Sequence, residues 1–317
     1  MKLVARIVFT LTLALALAAC GGREANTTTD GATTQAAASN KPLTIKGSDT
    51  MVILGQRLAE QYMVKNPGAV VQVNGGGSGT GIAALINGTV DLAQSSRPMK
   101  DDEKQKAAQS RGSAVAEQPV ALDALAVFVN TGSPVQHLTM AQLKDIFQGK
   151  VTNWKEVGGP DATIVLYGRE NSSGTYDYFR EHVLEKGDFS PRVQTLQGTA
   201  AVINAVGRDK NGIGYGGIAY AKEVRPLAIA GTGAPIPPSE ATLADGTYPL
   251  SRKLFFYYPQ NAPERVTKFV QWSLTPEAQD LVTQVGYFPL NTTDGGSTAT
   301  TTATSTTATS TTSTTAQ

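Results

Sequence analysis

Three short stretches of this chain combine the residue types that hold an oxyanion without reacting with it. They are Gly47-Ser48-Asp49-Thr50, then Gly75-Gly76-Gly77-Ser78-Gly79-Thr80-Gly81, then Arg169-Glu170-Asn171-Ser172-Ser173-Gly174-Thr175. Each stands between a strand-like run and a helical pattern. A helix start offers several unpaired N–H donors and the positive end of the macrodipole. Glycine lets that backbone approach a ligand, and Ser and Thr hydroxyls add neutral donors that also accept. Such a start suits phosphate or a carboxylate. Arg169, and Arg97 in Ser95-Ser96-Arg97, add charge and a planar fork matched to oxyanion oxygens. Taken singly, each cluster has an ordinary reading: Ser, Asp and Thr cap helices, a glycine run makes a turn, and an arginine pairs at the surface. Three such starts after strands, two of them near an arginine, point to one shared oxyanion site, because open α/β sheets bind ligands beyond their strand C-termini.

Other chemistries fail on residue counts. The glycine run offers no G-x-G-x-x-G, because Thr80 stands where the third glycine would be, and no G-x-x-x-x-G-K-[ST] follows it. No G-x-S-x-G surrounds Ser78, Ser172 or Ser173, and there is no S-x-x-K. Cys20 is the only cysteine, and the two histidines, His137 and His182, lie far apart; no cysteine-based zinc site can form, and no metal or other cofactor is expected. His182 is read as a surface residue, and Asp101-Asp102-Glu103 as helix N-terminal charge.

The elements that must position these residues lie in the body, residues 42–291. Its 23 basic and 23 acidic residues balance, which gives no support to nucleic-acid binding. Apolar runs at 43–46, 70–73, 90–93, 122–129, 163–167, 227–230 and 253–258 read as strands alternating with helical patterns, an α/β signature. Leu54, Leu58 and Tyr62 share one face of a helix over 51–65 that stops before Asn66-Pro67. Helices are expected over 80–87 and 175–186; Thr139 and Gln142 form a capping box for one over 139–148, and Thr275-Pro276 opens a last one.

The flanks are of another kind. Lys2 and Arg6 precede an apolar run from Ile7 to Ala19 that is shorter than the about 20 residues a membrane span needs, but fits a secretory signal over 1–19. Leu17-Ala18-Ala19-Cys20-Gly21 resembles the bacterial lipobox, which implies cleavage before Cys20 and its lipidation. Residues 20–41 then form a flexible lipid-anchored linker, and 292–317 a disordered Thr-rich tail that cannot bury enough apolar surface to offset ordering entropy.

Ile45-Lys46-Gly47-Ser48-Asp49-Thr50-Met51, the run GGGSGTGIAALINGTVDLAQSSRPM over 75–99, LTMAQLKDIFQGKVTNWKEVGG over 138–159, GRENSSGTYDYF over 168–179 and NGIGYGGIAYA over 211–221 together carry a resemblance. The chain resembles the phosphate-binding proteins of bacterial Pst-type phosphate ABC transporters. That resemblance implies an α/β type II periplasmic-binding-protein fold, two α/β lobes joined by crossover hinge strands. Lobe one would hold residues 42–126 plus 254–291 and lobe two 127–253, with the runs at 122–129 and 253–258 as candidate crossover strands. It places phosphate contacts on Ser48, Asp49, Thr50 and Met51, on Ser78, and on Arg169 with Ser173, Gly174 and Thr175. Some members carry an aspartate that accepts the proton of hydrogen phosphate; here Ser96 stands at that position, followed by Arg97. Asp49 is the alternative proton acceptor, with Arg97 offsetting its charge, or it is only a helix cap.

The function expected is therefore a monomeric, lipid-anchored extracytoplasmic receptor. It would capture inorganic phosphate between two lobes and deliver it to permease subunits with a cytoplasmic ATPase, catalysing nothing itself. The alternatives are a receptor of the same fold for sulfate, molybdate or tungstate, a secreted phosphoryl-transfer hydrolase, or a surface adhesin built on the tail.

Overall fold

The structure, a computed structural model, describes residues 41–290 except Thr232. The signal segment, Cys20, the linker up to Asn40 and the Thr-rich tail lie outside the described residues.

Strand β1 (Leu43–Gly47) turns Leu43 and Ile45 inward with the two-residue period of a pleated strand. A 3₁₀ turn (Asp49–Met51) leads into α1 (Val52–Lys65), which buries Leu54, Leu58 and Tyr62 one turn apart. Then follow β2 (Val71–Asn74), α2 (Ser78–Ile86), β3 (Leu92–Ser95) and α3 (Asp101–Arg111), with β1 pairing in parallel to both β2 and β3. After the long β4 (Val115–Val129) come β5 (His137–Thr139), α4 (Met140–Phe147), β6 (Val165–Arg169), α5 (Gly174–His182), β7 (Gln194–Leu196), α6 (Thr199–Arg208) and β8 (Gly212–Gly217). The short β9 (Arg225–Pro226) and β10 (Ala228–Ala230), then α7 (Glu240–Ala244), β11 (Ser251–Pro259), α8 (Glu264–Ser273) and α9 (Pro276–Val285) complete the order. One sheet runs β2-β1-β3-β11-β4-β8-β6-β7, with β9 beside β4 and β10 pairing β5 apart from it.

The central strand serves two cores. β4 pairs antiparallel with β11 over Val115–Ala124 and then with β8 over Leu125–Val129. Val120 and Ala121 pack with Leu43, Ile45, Leu58, Phe256 and Phe269, whereas Leu125, Val127 and Val129 pack with Phe147, Trp154, Phe179 and Tyr215. In the second core the Phe179 and Tyr215 rings stack at 4.1 Å and 17°.

The strand expected at 122–129 begins seven residues earlier, despite Pro119. The register shifts between Leu254 and Phe255, opposite Ala121 and Pro119, so Val120 is an extra residue there. Such an irregularity is where a sheet tolerates proline. The helix expected to reach 186 ends at His182, since Glu185 and Lys186 have positive φ. The capping box at Thr139 forms, with the Gln142 N–H donating to Thr139 Oγ1 at 3.1 Å and Gln142 Oε1 accepting from the Thr139 N–H at 2.9 Å. Strand β8 is absent from the expectations because Gly-Ile-Gly-Tyr-Gly-Gly has little strand propensity. Its glycines are required by packing: a Cβ at Gly214 would lie 2.8 Å from Val202 and Val206 of α6.

Candidate oxyanion-binding site

The three stretches meet where β1, β3 and β6 end and α2, α5 and α6 begin. Ser48 donates from Oγ to Ser96 Oγ at 2.8 Å, and Ser78 Oγ accepts from the Ser96 N–H at 3.1 Å. Thr50 Oγ1 lies 2.8 Å from Thr175 Oγ1 and 3.5 Å from Thr199 Oγ1; Ser96 Oγ lies 3.4 Å from both Ser78 Oγ and Thr175 Oγ1. All six of these serine and threonine side chains are buried. Ser173 Oγ accepts from the Thr175 and Tyr176 N–H groups and so caps α5. Gly174 lies so close to the opposite loop that a Cβ there would sit 2.4 Å from Ser78 Oγ. The Met51 side chain is fully buried in the core of β1 and α1, and its N–H donates to the Ser48 carbonyl at 3.0 Å.

Arg169 is one cation of this hydroxyl cluster, with only 2% of its surface exposed. Its Nη1 donates to Thr199 Oγ1 at 2.8 Å, its Nη2 to Asp49 Oδ2 at 2.9 Å and to Glu170 Oε1 at 2.8 Å, and its Nε to Glu170 Oε2 at 3.1 Å. Burial alone would raise the Glu170 carboxyl, but the Arg169 guanidinium holds it below the usual carboxylate range. The other Asp49 oxygen accepts from the Gly76 N–H at 2.9 Å, so this carboxylate ties the glycine loop to Arg169. It makes no capping bond at the helix that follows, contrary to that expectation. The two loops also join directly, the Gly79 N–H donating to the Ser172 carbonyl at 2.9 Å. A cavity of about 360 Å³ lined by Asp49, Gly76, Glu170, Ser172, Gln197 and Gly198 opens beside them.

Arg97 is not brought to this cluster as expected. Its Nη1 and Nη2 donate to the two Glu103 oxygens at 2.8 Å each, and its Nε lies 2.9 Å from Asp177 Oδ2. The first turn of α3 presents Glu103 to that fork, so the charge beside Asp49 is supplied by Arg169. In Arg97's place the structure brings Arg252 of β11 to the cage: Nη2 donates to Thr175 Oγ1 and Nη1 to the Ser96 carbonyl, both at 3.1 Å. Arg252 and Thr199 were not singled out from the sequence. A signal existed in Asp123, a lone carboxylate inside the apolar run 122–129 that calls for a buried cation; Arg252 stands just before the other run, at 253–258.

The cluster is thus a closely packed set of hydroxyl and guanidinium donors beside a polar cavity, a chemistry suited to an oxyanion. His182 is exposed and packs on the Tyr178 ring, outside the cage. Among the described residues no group of three or more His, Cys, Asp or Glu could hold a metal ion, and no helix is long and apolar enough to cross a membrane.

A family model described as the PBP superfamily domain matches residues 27–277. The phosphate-binding protein PstS of Pseudomonas aeruginosa is 38% identical over 264 residues, covering 77% of this chain and 81% of the relative. Its namesake in Bacillus subtilis is 31% identical over 277 residues, covering 86% and 89%. Among solved structures, one from Clostridium perfringens with bound phosphate, described as a candidate phosphate ABC transporter substrate-binding protein, superposes with a TM-score of 0.72. It is 29% identical and covers 79% of this chain and 100% of that one. An ABC-type phosphate transport receptor from Vibrio cholerae gives 0.64 at 30% identity, covering 78% and 100%. The family model, the relatives and the superposed structures agree, and the chain belongs to the Pst-type phosphate-binding proteins of the PBP superfamily, with the type II periplasmic-binding-protein fold.

Proposed function

We infer that this protein captures inorganic phosphate between two lobes and delivers it to the permease subunits of a phosphate ABC transporter. The observation that carries the reading is Arg169, buried among Asp49, Glu170 and Thr199 at the meeting point of three hydroxyl-bearing helix starts. Thr50, Ser78, Ser96, Ser173 with Gly174, and Thr175 are the proposed partners of the anion, together with the backbone N–H of Asp49. The lobes would be residues 42–126 with 254–291, and 127–253, hinged where β4 and β11 pass between the two cores. No covalent step is needed: hydrogen bonds and charge hold the anion, and the same anion is released. The chain would act as a monomer outside the cytoplasm, anchored through lipid on Cys20, with its ligand passed to a permease driven by a cytoplasmic ATPase.

Binding at about 1 μM corresponds to roughly 8 kcal/mol. Several charge-assisted hydrogen bonds at about 1.5 to 3 kcal/mol each supply that after ordering costs. The test is calorimetry of the purified protein with phosphate, arsenate, sulfate and molybdate. One-to-one heat with phosphate is expected, and no heat at millimolar phosphate from folded protein would overturn the reading. A second reading, a receptor for a fully ionised oxyanion such as sulfate, is favoured by Ser96, a hydroxyl where a carboxylate would select a protonated ligand. Tighter binding of sulfate than phosphate in the same titrations would establish it.

A further inference from the structure

Two arginines approach the hydroxyl cluster from opposite sides. Thr199, Thr50 and Thr175 form a row, with Oγ1 separations of 3.5 and 2.8 Å. Arg169 Nη1 donates to the Thr199 end and Arg252 Nη2 to the Thr175 end. A hydroxyl has one proton and two acceptor lone pairs, whereas a guanidinium only donates. Each terminal hydroxyl therefore spends a lone pair on its arginine and keeps its proton for the row or for an anion.

Arg252 is held where it can do this. Its Nε and Nη2 donate to Asp123 Oδ2 at 2.9 and 2.8 Å, and Nη1 donates to the Ser96 carbonyl. With the bond to Thr175, four of its five N–H groups are assigned, and Thr175 stands between the guanidinium and the rest of the hydroxyl row. Asp123 is fully buried directly across the β4–β11 ladder from Arg252, and its second oxygen accepts from the Ile218 N–H at 3.1 Å. The pair sits on the two strands that pass between the cores, and the Arg252 guanidinium also lies over the Tyr178 ring at 5.4 Å.

We propose that Arg252, clamped by Asp123, is a positioning residue of the anion site: it consumes a Thr175 lone pair so that the Thr175 hydroxyl donates to the bound oxyanion. This rests on the phosphate-binding reading above. It gives the site two cations, one beside the glycine loop and one on the strands between the cores, each acting on one end of the same hydroxyl row. Ser96, which follows the strand end, is held from its carbonyl by the same guanidinium, so the residue that replaces a carboxylate acceptor lies in a donor-biased corner.

The experiment is a double-mutant cycle for phosphate binding on the intact protein, using Arg252→Lys and Thr175→Val, with thermal melting of every variant. Lysine keeps a cation for Asp123 but cannot serve Asp123, Ser96 and Thr175 together, because it lacks the fork. Arg252→Lys and Thr175→Val should each weaken phosphate by about tenfold or more, the loss of one charge-assisted hydrogen-bond arrangement. Arg252→Lys should cost little further, within about twofold, in the Thr175→Val background, because non-additivity marks residues that act through each other. Full additivity, or unchanged affinity of Arg252→Lys, overturns the proposal, since a merely structural arginine would weaken both backgrounds alike. Should Arg252→Lys fail to fold, the neutral pair Asp123→Asn with Arg252→Gln enters the same cycle and is read by the same criteria. A wild-type protein that is folded and takes no phosphate overturns the functional reading and this one with it, and it does so before any variant is compared.

Discussion

Arg97, two residues past β3, and Arg169, the last residue of β6, are both buried against two carboxylates, yet only Arg169 reaches the hydroxyl row. Arg169 shares its fork among Glu170, Asp49 and the Thr199 hydroxyl, and so joins the glycine loop to the hydroxyl row. Arg97 spends its side chain on Glu103, Asp177 and the Pro98 carbonyl, and touches no hydroxyl of the cluster. A buried guanidinium is costly unless its donors are satisfied. On the proposed reading, what sets Arg169 apart is the hydroxyl among its acceptors: a hydroxyl can turn its own proton to a ligand, a carboxylate cannot.

The largest contrast is expected from removing each arginine. Arg169→Ala should cost roughly 3 to 5 kcal/mol of phosphate binding, since Asp49 and Glu170 are left without their cation. Arg97→Ala should leave the affinity within about threefold while lowering the melting temperature, as loss of a buried pair does. Calorimetry and thermal melting of both variants check this, and equal losses of affinity would erase the distinction.

A smaller effect sharpens it. Asp49→Asn keeps an acceptor for Gly76 but loses the charged partner of Arg169, and should weaken phosphate by about 1 to 2 kcal/mol. If the carboxylate only positions Arg169, phosphate and sulfate weaken alike. A selective loss of phosphate in competition titrations would instead make Asp49 the acceptor of the ligand proton.

The smallest effect is in the pH dependence of stability. Burial would raise the Glu103 carboxyl, but the hydrogen bonds from Arg97 and the Lys100 N–H hold it below its ordinary range. A depressed carboxylate adds stability that is full above the unfolded value, about 4.3, and is lost as pH falls through the folded one. Wild type should therefore lose more melting temperature than Glu103→Gln on acidification below about pH 4. Parallel melting curves for the two would mean that the pair adds nothing to stability.

Much of the candidate site was legible because its grammar is local. A strand end, a glycine and a hydroxyl before an apolar helical period identify a donor-rich helix start whatever the fold around it, and Ser48, Thr50, Ser78, Ser173 and Thr175 are found in such starts. Strand β8 escaped because its glycines answer to the closeness of α6 and carry no propensity of their own. Arg97 misled because its acceptors lie six residues on in α3 and across in α5, and sequence proximity to Ser96 says nothing about where a long side chain turns.

By itself the sequence determined the α/β class, the donor-rich helix starts, and the exclusion of cysteine-based zinc and of P-loop or serine-hydrolase motifs, since these depend on residue type and short spacing. Only the tertiary structure decided which cation meets which hydroxyl. Arg252 reaches Thr175 across 77 positions, and Arg169 reaches Asp49 across 120. Contacts of that separation are set by how β4 and β11 pass between two cores and how β6 ends against the glycine loop. No local pattern encodes them, because a buried charge goes wherever packing leaves it a partner.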